Sequence, residues 1–274
     1  MTASGAPLTS RTEGRLLDGL RFAIDNRFSE PGNEHYVAPP VIAARTIDQV
    51  GYRESFPHLL GSVYAAPRGG PVAPSDLVLT PAACHHLYPL YCGDSVSSEV
   101  LTSVEATCFR GEATAETGRL RSFRMYEVVC LGRAAATDAW RDRMLASAAE
   151  FLRRLGLAVE VVAANDPFFG RTGGLLAANQ RSQQLKWELA VAVSDGITQA
   201  VASANYHKDH FGEVFAITDA DGRVAHSACL AFGLDRVVLA LRHRHGEDVT
   251  AWPADVRSLL SVGEKTLSRQ SVRS

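Results

Sequence analysis

Apolar residues fall at helical spacing at Leu16, Leu17, Leu20 and Phe22, and predict a first helix just inside the start of the chain. The run 41–51, after the Pro39-Pro40 punctuation, predicts a second. Short apolar runs predict strands at 62–65 and 77–79. From 138 to 155, Trp140, Met144, Leu145, Ala148, Phe151, Leu152 and Leu155 return to helical spacing, and Gly156 closes that helix. Strands at 158–163 and 185–193 then bracket a turn-rich insert, Asp166-Pro167-Phe168-Phe169-Gly170-Arg171-Thr172-Gly173-Gly174. Further strands are predicted at 199–205, 213–218 and 224–232, before a last helix marked by Val237, Val238 and Leu241. Strands joined by hairpins, with helices at the flanks, indicate an α+β fold around an antiparallel sheet. The chain carries no internal repeat.

With 274 residues the chain buries one sizeable core, and a single domain over 13–265 is expected. The ends, 1–12 and 266–274, are short of apolar residues and are expected to be disordered tails. A formal charge of −2, from 28 basic and 30 acidic residues, supplies no broad positive field for a nucleic-acid backbone, which argues against a tRNA substrate. No apolar run approaches a membrane span, and residues 1–14 do not read as a secretory leader, so a cytoplasmic protein is expected. Five cysteines without regular spacing fit thiols or metal ligands better than a disulfide framework.

Three segments carry chemistry. Cys108-Phe109-Arg110-Gly111-Glu112 puts a cation and a carboxylate two apart on a strand, hence on one face. Phe123-Arg124-Met125-Tyr126-Glu127 returns as a second strand on which Phe123 and Glu127 share a face. Ala231-Phe232-Gly233-Leu234-Asp235-Arg236 turns from strand into helix with a guanidinium in the first turn, suited to phosphate. Singly, each has a plainer reading: Arg110 in an ion pair, Phe123 in the core, Arg236 at a helix end. In order they resemble motifs 2 and 3 of the class II aminoacyl-tRNA synthetases, and Gly51-Tyr52-Arg53-Glu54-Ser55-Phe56-Pro57 is similar to motif 1, the dimer-forming element of that superfamily. The resemblance implies a class II catalytic domain that binds ATP and magnesium and forms a homodimer through the motif 1 region. Arg110 would hold the α-phosphate, Arg236 the terminal phosphate, Glu112 the adenine amino group and Phe123 the adenine face.

Cys84, in Pro81-Ala82-Ala83-Cys84-His85-His86, and Cys229, on the motif 3 strand, need a third partner to bind metal, and Glu127 offers a carboxylate. Two thiolates and a carboxylate leave tetrahedral zinc one open position. Cys108 is the rival ligand, His207 and His210 are further nitrogen donors, and buried cysteines commonly serve packing alone. The set resembles the zinc-dependent, atypical seryl-tRNA synthetases and, more closely, their truncated homologues, the amino acid:carrier protein ligases. Leu185-Lys186-Trp187-Glu188-Leu189 and Ala204-Asn205-Tyr206-His207 also look like that group. The resemblance implies zinc on Cys84, Glu127 and Cys229, with Ser203 and Asn205 at the substrate. It implies activation of glycine or alanine by ATP and transfer to a phosphopantetheinylated carrier protein. Gln199 stands where seryl enzymes carry a magnesium-binding Glu, which leaves the number of magnesium ions open. Alternatives are a synthetase-like enzyme acylating RNA or another acceptor, and a regulatory protein without chemistry. The Phe168-Phe169-Gly170-Arg171 insert, with Arg181 and Lys186 on its flanks, is the candidate carrier-docking surface, against a plainer reading as a core plug.

Overall fold

The computed structural model describes residues 5–30, 32–112, 114–164, 166 and 183–262. The expected tail at 266–274 and the insert apart from Asp166 lie outside these residues. The expected tail at 1–12 is in large part built. Gly5 offers its carbonyl to the N–H groups of Arg121 (2.8 Å) and Ser122 (3.3 Å). Ser10 then caps the helix Arg11–Phe28 in a reciprocal pair with Glu13, each side chain taking the other's backbone N–H (3.2 and 2.8 Å). Leu16, Leu17, Leu20 and Ile24 of this helix are buried, whereas Phe22 is 59% exposed, because two residues beyond Leu20 is just over half a helical turn.

Among the described residues ten strands form two sheets: β1 (His35–Ala38), β2 (Val41–Ala43), β3 (Ser62–Ala65), β4 (Ala73–Leu79), β5 (Val100–Phe109), β6 (Ser122–Gly132), β7 (Glu160–Ala163), β8 (Lys186–Ser194), β9 (Ile197–Lys208) and β10 (His226–Gly233). The large sheet runs β1-β5-β6-β10-β9-β8-β7, antiparallel throughout except for β1 along β5, and the small one runs β2-β4-β3. The architecture is therefore the α+β class expected.

Alternation along the central strands divides the large sheet into two faces. Tyr126, Val128, Leu230, Phe232, Ala202, Ala204 and Leu189 point to one, where the helices Arg11–Phe28, Ala134–Arg154 and Leu234–His245 cover them. Val104, Ala106, Cys108, Val129, Leu131 and Cys229 point to the other, under the small sheet, the 3-10 turn Ala83–His86 and the helix His210–Phe215.

Two expected elements differ. The predicted helix 41–51 divides into β2 and the helix Ala44–Gln49, because Val41, Ile42 and Ala43 pair with Leu79, Val78 and Leu77. The first half of the predicted strand 213–218 is instead helix, His210–Phe215, ended by Ala216 in a left-handed conformation. Phe211 and Phe215 lie one turn apart and stack on the buried Tyr88, at 3.8 and 6.3 Å between ring centroids, so packing selects the helical period. Among the described residues, no helix is long and apolar enough to cross a membrane.

Candidate active site

Register builds the site. Across the covered front face, Val104, Glu127, Ala231, Ser203 and Glu188 stand side by side on β5, β6, β10, β9 and β8. The next rung on that face is Val129, Cys229, Asn205 and Lys186. Glu127, Cys229, Ser203, Asn205 and Lys186 thus come together from four strands. With Cys84, Arg110 and Tyr52 they line a cavity of about 430 Å3. Larger cavities of about 600 Å3 lie on the helical side of the sheet, among ordinary ion pairs such as Arg124–Asp235, and hold none of the predicted site residues.

Glu127 is 1% exposed. Its Oε1 accepts from the backbone N–H groups of Ala83 (2.7 Å) and Cys84 (3.2 Å), which fastens the 3-10 turn to β6. Burial, and then the neighbouring Cys229 sulfur, push its carboxyl up to about 7. Cys84 and Cys229 share a hydrogen bond that raises the first thiol and lowers the second. Cys229 Sγ also accepts from Asn205 Nδ2 (3.2 Å) and lies 3.6 Å from His207 Nε2. His207 Nδ1 is in turn 3.1 Å from Ser227 Oγ and 3.3 Å from Tyr88 Oη. Burial opposes a charge on His207, but Cys229, Glu127 and Asp166 together outweigh it, so its pKa is raised. His85 is held neutral, down to about 3, by burial and then by Arg110, and its Nδ1 is buried without a partner.

Soft sulfur and hard carboxylate oxygen around one cavity are a donor set that suits zinc. Glu127 spends one oxygen on backbone amides, however, and among the described residues no three His, Cys, Asp or Glu side chains form a group that holds a metal ion. Cys108, the rival ligand, is buried, its thiol pushed up by burial and then by Glu127.

The nucleotide residues sit at the open end of the β5–β6 hairpin. Arg110 stands one residue past β5, and its N–H still pairs with the Arg121 carbonyl (2.8 Å), while its Nη1 donates to Tyr52 Oη (2.7 Å). The expectation that Arg110 and Glu112 share one strand face needs correcting: the strand has ended and Gly111 turns. A Cβ at Gly111 would lie 2.5 Å from the His58 carbonyl oxygen, so only glycine fits there, and Glu112 emerges exposed. Phe123 is half-buried on the front face. Arg236 donates to the carbonyls of Gly118 (2.7 Å) and Ala200 (2.9 Å) and feels the charges of Arg119, Arg110, Glu112 and Glu188. Glu112, Phe123 and Arg236 therefore lie outside the cavity that Arg110 enters. Gln199 is buried, and its amide is engaged by Glu116 of the hairpin loop.

Lys186 is the largest departure. Expected on the flank of a docking surface, it faces the cavity, with its side chain 13% exposed and its ammonium 2.5 Å from Asp166 and 3.3 Å from Glu188. Tyr52, whose hydroxyl holds Arg110, is a second site residue that sequence reasoning left as part of motif 1 alone. The signal for Lys186 lies in its alternation with Trp187, which places Lys186 and Glu188 on one face.

This sheet, with helices behind it and the hairpin at its open end, defines the class II aminoacyl-tRNA synthetase fold. The structure of Methanopyrus kandleri seryl-tRNA synthetase in complex with a tRNA matches with a TM-score of 0.75 at 20% identity, over 90% of this chain and 55% of that one. No protein-family model matches. Amino acid–acyl-carrier-protein ligase 2 of Bradyrhizobium diazoefficiens is 41% identical over an alignment of 263 positions that covers 88% of this chain and 79% of that protein. The chain belongs to this ligase family. A type-2 serine–tRNA ligase of Methanopyrus kandleri is 26% identical over an alignment of 272 positions that covers 91% of this chain and 48% of that one.

Proposed function

We propose that this protein is an ATP-dependent ligase that activates a small amino acid, glycine or alanine, as its aminoacyl adenylate and passes it to the phosphopantetheine thiol of a carrier protein. The observation that supports this best is the convergence of Arg110, the two cysteines, Glu127, Ser203 and Asn205 on one cavity in a chain of this family. The substrate carboxylate oxygen attacks the α-phosphorus and pyrophosphate leaves; the carrier thiol then attacks the acyl carbon and AMP leaves. Charge grows on phosphate oxygens in the first step, and a cation fixed in place beforehand stabilises it most. Arg110, oriented by Tyr52, supplies that cation at the α-phosphate. Arg236 takes the terminal phosphate, Phe123 stacks on adenine and Glu112 accepts from its amino group. Magnesium accompanies the triphosphate. Zinc on Cys84, Glu127 and Cys229 would bind the substrate amino group as a Lewis acid, and Asn205 and Ser203 orient the amino acid beside it. The protein acts in the cytoplasm as a homodimer joined through the motif 1 region, and tRNA is not its acceptor.

A pyrophosphate-exchange screen over all amino acids, followed by acceptor assays with a phosphopantetheinylated carrier and bulk tRNA, tests this reading. Exchange dependent on glycine or alanine, and label on the carrier alone, are expected. Exchange without any amino acid, or label on tRNA with none on the carrier, overturns it. Metal analysis should give one zinc per subunit, lost in Cys84→Ala and kept in Cys108→Ala.

A further inference from the structure

We propose that Lys186 is the residue that binds the carboxylate of the amino-acid substrate and aims it at the α-phosphate. The inference rests on the adenylate-forming reading above and adds a residue that reading does not use. Lys186 shares a rung with Cys229 and Asn205, and Glu188 shares the adjacent one with Glu127 and Ser203. A lysine whose side chain is only 13% exposed, on the inner face of a strand, is costly unless its charge is used or paired. Asp166 (2.5 Å) and Glu188 (3.3 Å) pair it, and despite burial they keep it charged. An ammonium has three N–H donors, so its two carboxylate partners among the described residues leave at least one donor for a third acceptor. Among the described residues, Lys186 and Arg110 are the only lysine and arginine side chains lining this cavity.

Their positions divide the labour. Arg110 enters from the hairpin end, where the phosphates lie in the proposed mode, and Lys186 rises from β8, two strands across from Cys229. Strands are about 4.8 Å apart, so an amino acid anchored by its amino group beside Cys229 places its carboxylate over β9, within the reach of a lysine on β8. Two anions, carboxylate and triphosphate, must approach for the attack to occur. A cation on each, held by Tyr52 on one side and by Asp166 and Glu188 on the other, lowers that repulsion before reaction.

The test is amino-acid-dependent pyrophosphate exchange by Lys186→Gln and Lys186→Arg, together with inhibition by the amino alcohol of the same side chain, which keeps the amino group and lacks the carboxylate. For Lys186→Gln the amino-acid KM should rise about 10- to 100-fold, the loss of one charge-assisted hydrogen bond. The KM for ATP and the inhibition constant of the amino alcohol should stay within about twofold of wild type, and Lys186→Arg should recover part of the loss. A merely structural Lys186 would shift all three constants together, or lower thermal stability with the constants unchanged; either result overturns the inference alone. Absence of exchange in the wild type removes the adenylate-forming reading, and this inference with it.

Discussion

The two faces of the same strands have different stability logic. On the helical face, Tyr126, Phe232, Ala202 and Leu189 form one rung, apolar apart from a phenol whose hydroxyl reaches Asp25 at 2.7 Å. One residue along, on the opposite face, the rung is Glu127, Ala231, Ser203 and Glu188. The first gains free energy from burial at about 25 cal/mol per Å2. The second holds a carboxylate away from water, with two backbone amides and the Cys84 thiol as partners, which opposes folding. The helical face therefore carries the stability that lets the other face keep its reactive groups dry.

The largest expected effect is on the helical face. Phe232→Ala removes a fully buried ring in contact with Phe28 and Phe151 and should cost about 3–5 kcal/mol in denaturant unfolding. What remains folded should still exchange pyrophosphate. A small stability loss with abolished exchange would break the division between the faces.

On the front face the effect should be catalytic. Arg110→Ala should cost on the order of 2.7–4 kcal/mol in kcat/KM for exchange, the scale of losing one placed charge-stabilising donor. Unfolding should change far less, and equal losses in both measurements would assign Arg110 to the scaffold.

Glu127 sharpens the contrast through pH. Its folded pKa of about 7 lies above the ordinary 4.5, so the folded state binds the extra proton between those values. Stability of the metal-free protein is then full below about pH 4.5 and falls as pH rises through 7, by a few kcal/mol at about 1.4 kcal/mol per pKa unit. Glu127→Gln should flatten that slope in chemical denaturation at a series of pH values, and should also abolish zinc content. A slope unchanged in the variant would locate the titration elsewhere.

The smallest effect should come at Phe22, a large apolar residue on the outer side of its helix. Phe22→Ser should stay within about 0.5 kcal/mol in the same unfolding assay, and a larger loss would place that side chain under a cover.

How far the chain disclosed itself depends on which period was at stake. The long helices Arg11–Phe28, Ala134–Arg154 and Leu234–His245 and the strands β6, β8, β9 and β10 were legible because many residues repeat one spacing. His210–Phe215 was not, since six residues with Val214 among them fit strand or helix alike, and only the Tyr88 stack decides. For the site, parity placed Phe123 and Glu127 on one face, and family likeness brought Cys84 and Cys229 to them. Parity failed at Glu112, because Gly111 ends the strand where the His58 carbonyl comes close. Lys186 was misplaced for a different reason: a lysine beside a turn-rich insert looks solvent-exposed until the register of β8 against β9 is known.

That register has a consequence for folding fidelity. If β10 slipped by one residue against its neighbours, Cys229 would turn to the helices, and Leu230 or Ala228 would enter the cavity. The same slip would push Phe232 out of the Phe28–Phe151 cluster. A misassembled site therefore cannot arise without a damaged core, so a copy stable enough to persist is one whose reactive groups are in line. Quality control that senses only instability would thereby discard mis-registered enzyme without testing its activity.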